Sequence, residues 1–255
     1  MDNLQETLER IKSKWSQNQS STEQNLDIKV SCEECNDKGC IMIDDRNAIP
    51  CKCRELAMIE NLFRSSQITP AFRKKTFDAF DTAKTPNVVR KMYDCAKHYA
   101  DHFHEVMTKE NNWLVLLGEP GSGKTHLSMA VSNVLLNQKI PVLYFQHVEG
   151  MKEFVSIVSQ SGDISPKKEQ MKQVDVLYWD DLFKPPKSPS AFDIELAFEV
   201  LNYRYLNLKP TIISSEHNME QLLQIDKALG SRIIERGKEF LVEVNGIECN
   251  YRIQG

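Results

Sequence analysis

Apolar positions along the chain fall into two spacings. Helical spacing appears first over residues 3–15, where Leu4, Leu8, Ile11 and Trp15 share one stripe, and again over residues 55–64 with Leu56, Met58, Ile59, Leu62 and Phe63. The cleanest stripe passes through Val89, Met92, Ala96, Tyr99, Phe103 and Val106. It predicts a helix from Asn87 to about Lys109 with one buried face. Short, largely apolar stretches of strand length stand at residues 113–117, 140–145, 174–179, 210–215, which ends in hydroxyls, and 239–244. Helical stretches are predicted between them, from Lys124 onward, over 150–159, 191–206 and 219–225, with a further element opening at Gly230. Strand then helix, repeated, implies an α/β fold, a parallel sheet between helices on both faces. Right-handed crossovers leave few topologies for it.

Polar stretches mark the joints. Residues 16–25 read as a flexible link, and residues 66–85, edged by Pro70 and Pro86, as an extended linker anchored by Phe72, Phe77 and Phe80. The helix before the first link packs either on its own chain or on a partner. Residues 160–172 carry Lys167, Lys168 and Lys172. They read as a solvated loop and helix end, or as a small insertion that touches nucleic acid.

The totals narrow the class. A chain of 255 residues holds one sizeable domain and a small one. Its 32 basic and 36 acidic residues give a net charge of −4, which argues against a wholesale polyanion binder but leaves room for a local basic patch. No apolar run approaches the roughly 20 residues of a membrane span, and the N-terminus has no basic segment followed by an apolar one. No membrane partner is expected, and the cysteine usage suits a reducing cytoplasm.

The first chemical motif follows the run at 113–117. Gly118-Glu119-Pro120-Gly121-Ser122-Gly123-Lys124-Thr125, continued by His126, fits the phosphate-loop pattern G-x-x-x-x-G-K-[ST]. Glycines let the backbone curl until several N–H groups face one anion, and the following helix adds its positive end. Lys124 can reach the β- and γ-phosphates of ATP, and the Thr125 hydroxyl can ligate Mg²⁺. The second motif closes the run at 174–179, where Asp180 and Asp181 stand at the carboxyl end of a strand, the place where open α/β sheets bind ligands. Asp180 would hold Mg²⁺, mostly through water. Asp181 would orient or deprotonate the attacking water.

Five of the seven cysteines crowd between Cys32 and Cys53. Cys32-x-x-Cys35 and Cys51-x-Cys53 can supply four thiolates to one tetrahedral zinc, and Cys40 is a further thiol that could replace one of them. A segment this short has little core, so the metal would hold its fold together.

Taken together these stretches resemble the bacterial replicative helicase loaders of the DnaC/DnaI type, within the AAA+ ATPases and the wider IstB-like superfamily. The resemblance is carried by residues 118–127 with their Gly-Lys-Thr-His-Leu ending and by Asp180-Asp181. Residues 198–205, residues 210–215, Gly230-Ser231-Arg232, and the cysteine knuckle before residues 64–70 complete it. It implies an Mg²⁺-dependent ATPase domain over residues 86–255, and a zinc-bearing region over residues 1–65 that grips a hexameric replicative helicase. It also implies an ATP-dependent oligomer that binds single-stranded DNA. Arg232 resembles the arginine finger that reaches a neighbouring subunit's ATP. Glu216 stands beside Ser215 where the family usually has the asparagine of a phosphate sensor. Like the loaders, the chain is expected to lack a separate helical lid and a DNA-binding helix-turn-helix. Two other readings compete. One is a transposase helper ATPase of the IstB kind, against which the cysteine cluster speaks. The other is an ATP-gated adaptor with little turnover.

Overall fold

The computed structural model describes residues 32, 34–35, 38–44, 47–83, 85–184 and 188–253. The helix expected over residues 3–15 and the link at 16–25 lie outside them. The chain divides into two compact units, Met1–Glu55 and Leu56–Gly255.

In the first unit the described residues form a small antiparallel hairpin, β1 (Cys40–Met42) with β2 (Ala48–Pro50). Asn47 donates from both its backbone N–H and its side-chain amide to the Asp44 carboxylate, which pins the turn. α1 (Lys52–Ser65) starts directly after the hairpin.

The second unit is built on one parallel sheet. Its strands are β3 (Leu114–Gly118), β4 (Val142–Gln146), β5 (Val176–Asp180), β6 (Thr211–Ser215) and β7 (Leu241–Val244), in the spatial order β4-β5-β6-β3-β7. β3, β5 and β6 are buried along their whole length, as expected of strands covered on both faces. Alternation sorts their side chains into two cores. Leu114, Leu116, Val176, Tyr178 and Ile212 point into one, with α3 (Asn87–Asp101) and α5 (Lys124–Asn137). Trp113, Val115, Leu117, Leu177, Trp179 and Ile213 point into the other. That second core is covered by α6 (His147–Ser159), α7 (Ser165–Gln173), α8 (Ala191–Leu206), α9 (Met219–Ile225) and α10 (Lys227–Gly237).

Several boundaries differ from the sequence pattern. The helix expected to reach Lys109 stops at Asp101, because His102 leaves helical geometry and turns its ring Nδ1 to the His98 carbonyl at 3.1 Å; a short α4 (Phe103–Val106) resumes beyond it. The expected loop at 160–172 contains α7, which buries Met171. Its lysines are paired: Lys168 and Lys172 both donate to Glu199, at 2.8 and 2.6 Å, and Lys167 to Glu153. Residues 66–85 are not merely extended. They contain α2 (Pro70–Arg73), Ile68 and Phe77 are buried, and the Tyr144 N–H donates to the Ser66 carbonyl at 2.8 Å. β4 thereby has backbone support on its outer edge.

Candidate functional site

The site lies where β3, β5 and β6 end. β3 delivers the phosphate loop, and the loop's shape depends on glycine at positions a side chain could not occupy. Gly118 has φ of +101°, and a Cβ there would stand 2.0 Å from the Val244 carbonyl oxygen of the neighbouring strand. Gly123 caps α5 at φ of +94°, with Phe80 packed where its Cβ would be. The Glu119 N–H donates to the Val244 carbonyl at 2.7 Å, and the Gly121 carbonyl accepts from Tyr251 N–H at 3.2 Å, so β7 and the turn after it brace the loop. The Ser122 hydroxyl is buried with no partner among the described residues. His126, in the first turn of α5, presents Nε2 to the Thr76 carbonyl at 2.8 Å and meets the Phe80 ring edge-on.

Lys124 folds back on the loop and donates to the Gly118 and Glu119 carbonyls at 2.7 and 2.8 Å. Burial pulls its ammonium down to about 8, a cost that an added anion would relieve. The Thr125 hydroxyl donates to Asp180 at 3.1 Å. Asp180 also accepts from the Tyr178 hydroxyl at 2.6 Å, from the Tyr144 hydroxyl at 3.2 Å and from the Ser214 hydroxyl. Burial, and then the neighbouring Asp181 charge, push its carboxyl above the usual range despite these donors. Asp181 sits at φ of +54°, its N–H held by the Ser214 hydroxyl at 3.1 Å.

These groups border a cleft of about 470 Å³, lined by Gly121, Gly123, Lys124, Thr125, His126, Asp180 and Asp181, and also by Phe72, Lys75, Tyr144, Gln146, Lys184, Glu216 and Arg252. The two sequence motifs, some fifty-five residues apart, therefore meet in one cavity. Gly118, Glu119, Pro120 and Ser122 shape the loop behind it. Arg232 does not line this cleft. It lies on α10 with its guanidinium over the rings of Phe198 and Tyr205, at 5.2 and 5.4 Å, and donates to the Ala228 carbonyl.

The motif reading missed Tyr144, Tyr178, Ser214 and Lys184. A signal existed for Tyr178, which stands two residues before Asp180 and so shares its face of β5. The parallel register Tyr144↔Tyr178 brings the second phenol alongside, which only the strand order decides.

In the first unit, the sulfurs of Cys32, Cys35, Cys51 and Cys53 all lie within 4.8 Å of one another, and Cys40 is not in this group. Cys32 and Cys51 are 3.6 Å apart, Cys35 and Cys53 3.4 Å. Four thiolates about 2.3 Å from one zinc ion would stand about 3.8 Å apart, so the donor set fits that metal.

Comparison with known proteins agrees with this arrangement. Residues 73–238 match the bacterial DnaA ATPase domain family. The chain is 38% identical over 236 residues to the phage-like element PBSX protein XkdC of Bacillus subtilis, covering 89% of this chain and 88% of that protein. In fold it is similar to the DnaC helicase loader, with a TM-score of 0.52 and 21% identity over 69% of this chain and 100% of that one. It is also similar to the replication initiator DnaA bound to AMPPCP and single-stranded DNA, with a TM-score of 0.56 and 23% identity over 72% of this chain and 53% of that one. No helix among the described residues is long and apolar enough to cross a membrane. With the family's domain covering well over half of its length, the chain belongs to the bacterial DnaA ATPase domain family, among the AAA+ ATPases of DNA replication.

Proposed function

We propose that this chain is an ATP-dependent loader that delivers a hexameric replicative helicase to single-stranded DNA when replication initiates. The observation that carries the reading is the cleft, in which Lys124, Thr125, Asp180 and Asp181 converge at the ends of β3 and β5. The fold likeness to a helicase loader supports the choice of partner.

In this reading the backbone of Gly118, Glu119, Pro120, Gly121, Ser122 and Gly123 cradles the phosphates of ATP, and His126 borders the nucleotide. Lys124 gives up its two loop carbonyls and offers its charge to the β- and γ-phosphates. Thr125 and Asp180 would hold Mg²⁺, which polarises the phosphoryl oxygens when bound. Tyr144, Tyr178 and Ser214 keep Asp180 oriented. Asp181 takes the proton of the attacking water. Arg232 serves the cleft of a neighbouring copy, so assembly and ATP occupancy become interdependent. Cys32, Cys35, Cys51 and Cys53 would hold zinc and fix the small unit. The division of labour gives residues 1–65 to the helicase, residues 66–85 to the connection and residues 86–255 to the ATP switch.

The test mixes the full chain with the replicative helicase of the cell that encodes it, ATP, and a closed single-stranded DNA circle. The helicase should move onto the circle with the parent chain and fail to do so with Lys124→Ala. Asp181→Ala should still bind ATP and helicase but not hydrolyse. A chain that binds no helicase in either nucleotide state would sink the proposal.

A further inference from the structure

Beyond the two motifs the cleft contains a third charged device. Lys184 stands three residues after Asp181, with its ammonium 2.6 Å from Asp181 Oδ2 and 3.2 Å from Glu216 Oε1. All three side chains line the cleft that Lys124 and Thr125 line. They are drawn from two places, the turn after β5 and the end of β6. The neighbouring Asp180 is already engaged by the hydroxyls of Thr125, Tyr144, Tyr178 and Ser214. Lys184 is the ammonium in direct ion-pair contact with both Asp181 and Glu216, whose charges also act on the Lys124 ammonium in the same cleft. Burial pulls on the Lys184 ammonium, yet the two carboxylates hold it above the usual lysine range.

The arrangement is costly for an anionic ligand as it stands. Glu216 is a carboxylate, so it can accept but not donate, and it would repel a phosphate oxygen. Lys184 is the side chain that can reverse this, because its long stem allows the ammonium to exchange one anionic partner for another.

We propose that Lys184 is the residue that senses the terminal phosphate. Without nucleotide it is shared by Asp181 and Glu216. With a nucleoside triphosphate in the cleft its ammonium leaves Asp181 for the γ-phosphate, while Glu216 keeps it on that side of the cavity. The exchange frees the Asp181 carboxylate to accept a proton only when there is a phosphate to cleave. A nucleoside diphosphate leaves the Lys184–Asp181 pair closed. Lys184 thereby discriminates triphosphate from diphosphate, and Glu216 is its positioning residue. The inference rests on the cleft being an ATP site.

The experiment measures affinities of the full chain for a non-hydrolysable ATP analogue and for ADP, by fluorescence titration, in the parent and in Lys184→Ala, Lys184→Arg and Glu216→Gln. Lys184→Ala should weaken the analogue by about tenfold, the scale of one charge-assisted hydrogen bond, with ADP unchanged to within about twofold. Lys184→Arg should restore most of the difference, because it keeps the charge. Glu216→Gln should reduce the analogue-to-ADP preference in the same direction as Lys184→Ala. ADP binding reports on whether each variant is folded. If Lys184→Ala loses both ligands, the ratios in the other two variants decide. A parent that binds neither nucleotide removes the ATP reading and this one with it. A parent that binds both, with a ratio unmoved by all three substitutions, overturns this inference alone.

Discussion

Arg204 has no exposed surface and sits among six acceptors. Its Nε donates to the Thr211 hydroxyl at 3.0 Å. One terminal nitrogen serves the carbonyls of Met171, Lys172 and Val174, and the other those of Asp175 and Pro210. The side chain thus ties α8 to the end of α7 and to the starts of β5 and β6. Arg204→Met keeps much of the apolar stem and removes every donor. Five N–H donors are shared among these six acceptors, and breaking a buried network of this kind costs about 3–5 kcal/mol; because the charge leaves together with its donors, the expected net loss is at the low end, about 3 kcal/mol. For a unit of this size that lowers Tm by about 6–12 °C. The acceptors lie at the amino ends of β5 and β6 while the cleft lies at their carboxyl ends, so nucleotide affinity should hold to within about twofold. Thermal melting by far-ultraviolet circular dichroism, paired with titration of a fluorescent ATP analogue, reads both. A melting point within about 2 °C of the parent would refute the reasoning, since the buried acceptors that lose Arg204 would then cost nothing.

Two further outcomes are expected. Burial holds the His147 imidazole down to about 4, whereas an unperturbed histidine titrates at 6.5. Between those values the unfolded chain binds a proton that the native chain refuses, so this contribution to stability is full above about pH 6.5 and is lost as pH falls towards 4, by about 3 kcal/mol in all. His147→Asn, which keeps an acceptor for the Trp179 indole N–H, should flatten that acid slope in urea titrations, and an unchanged slope would contradict the assignment. Protein purified under reducing conditions should carry about one zinc per chain. Chelation should melt the hairpin of β1 and β2 and spare nucleotide binding; metal analysis that finds no zinc would rule the site out.

Much of the site was legible in the sequence, because its chemistry is local. A phosphate loop needs glycines, a lysine and a hydroxyl in a fixed order, so residues 118–125 announce themselves without any knowledge of the fold. The cysteine pairs did the same for the small unit, and the burial of β3 and β5 followed from their apolar runs, whereas β6 is buried although three of its five residues are hydroxyl-bearing. Other features were long-range and had no local signature. The hairpin at Cys40–Pro50 was missed because its strands are three residues each, too short to show a period. α7 was missed because a helix that buries Met171 alone shows no stripe, and its lysines read as solvent-facing until Glu199 of α8 came alongside.

The sequence by itself therefore determined the class of fold, and it picked out the loop, the acidic pair and the four thiols that the structure brings together. Each is set by residue types at short spacing. Tertiary structure alone decided what surrounds that chemistry. The strand order β4-β5-β6-β3 puts Tyr144, Tyr178 and Ser214 around Asp180, and places Glu216 opposite Lys184 across residues far apart in the chain. Hydrogen bonds and ion pairs act over a few ångströms, and only the sheet's register brings those partners within that range.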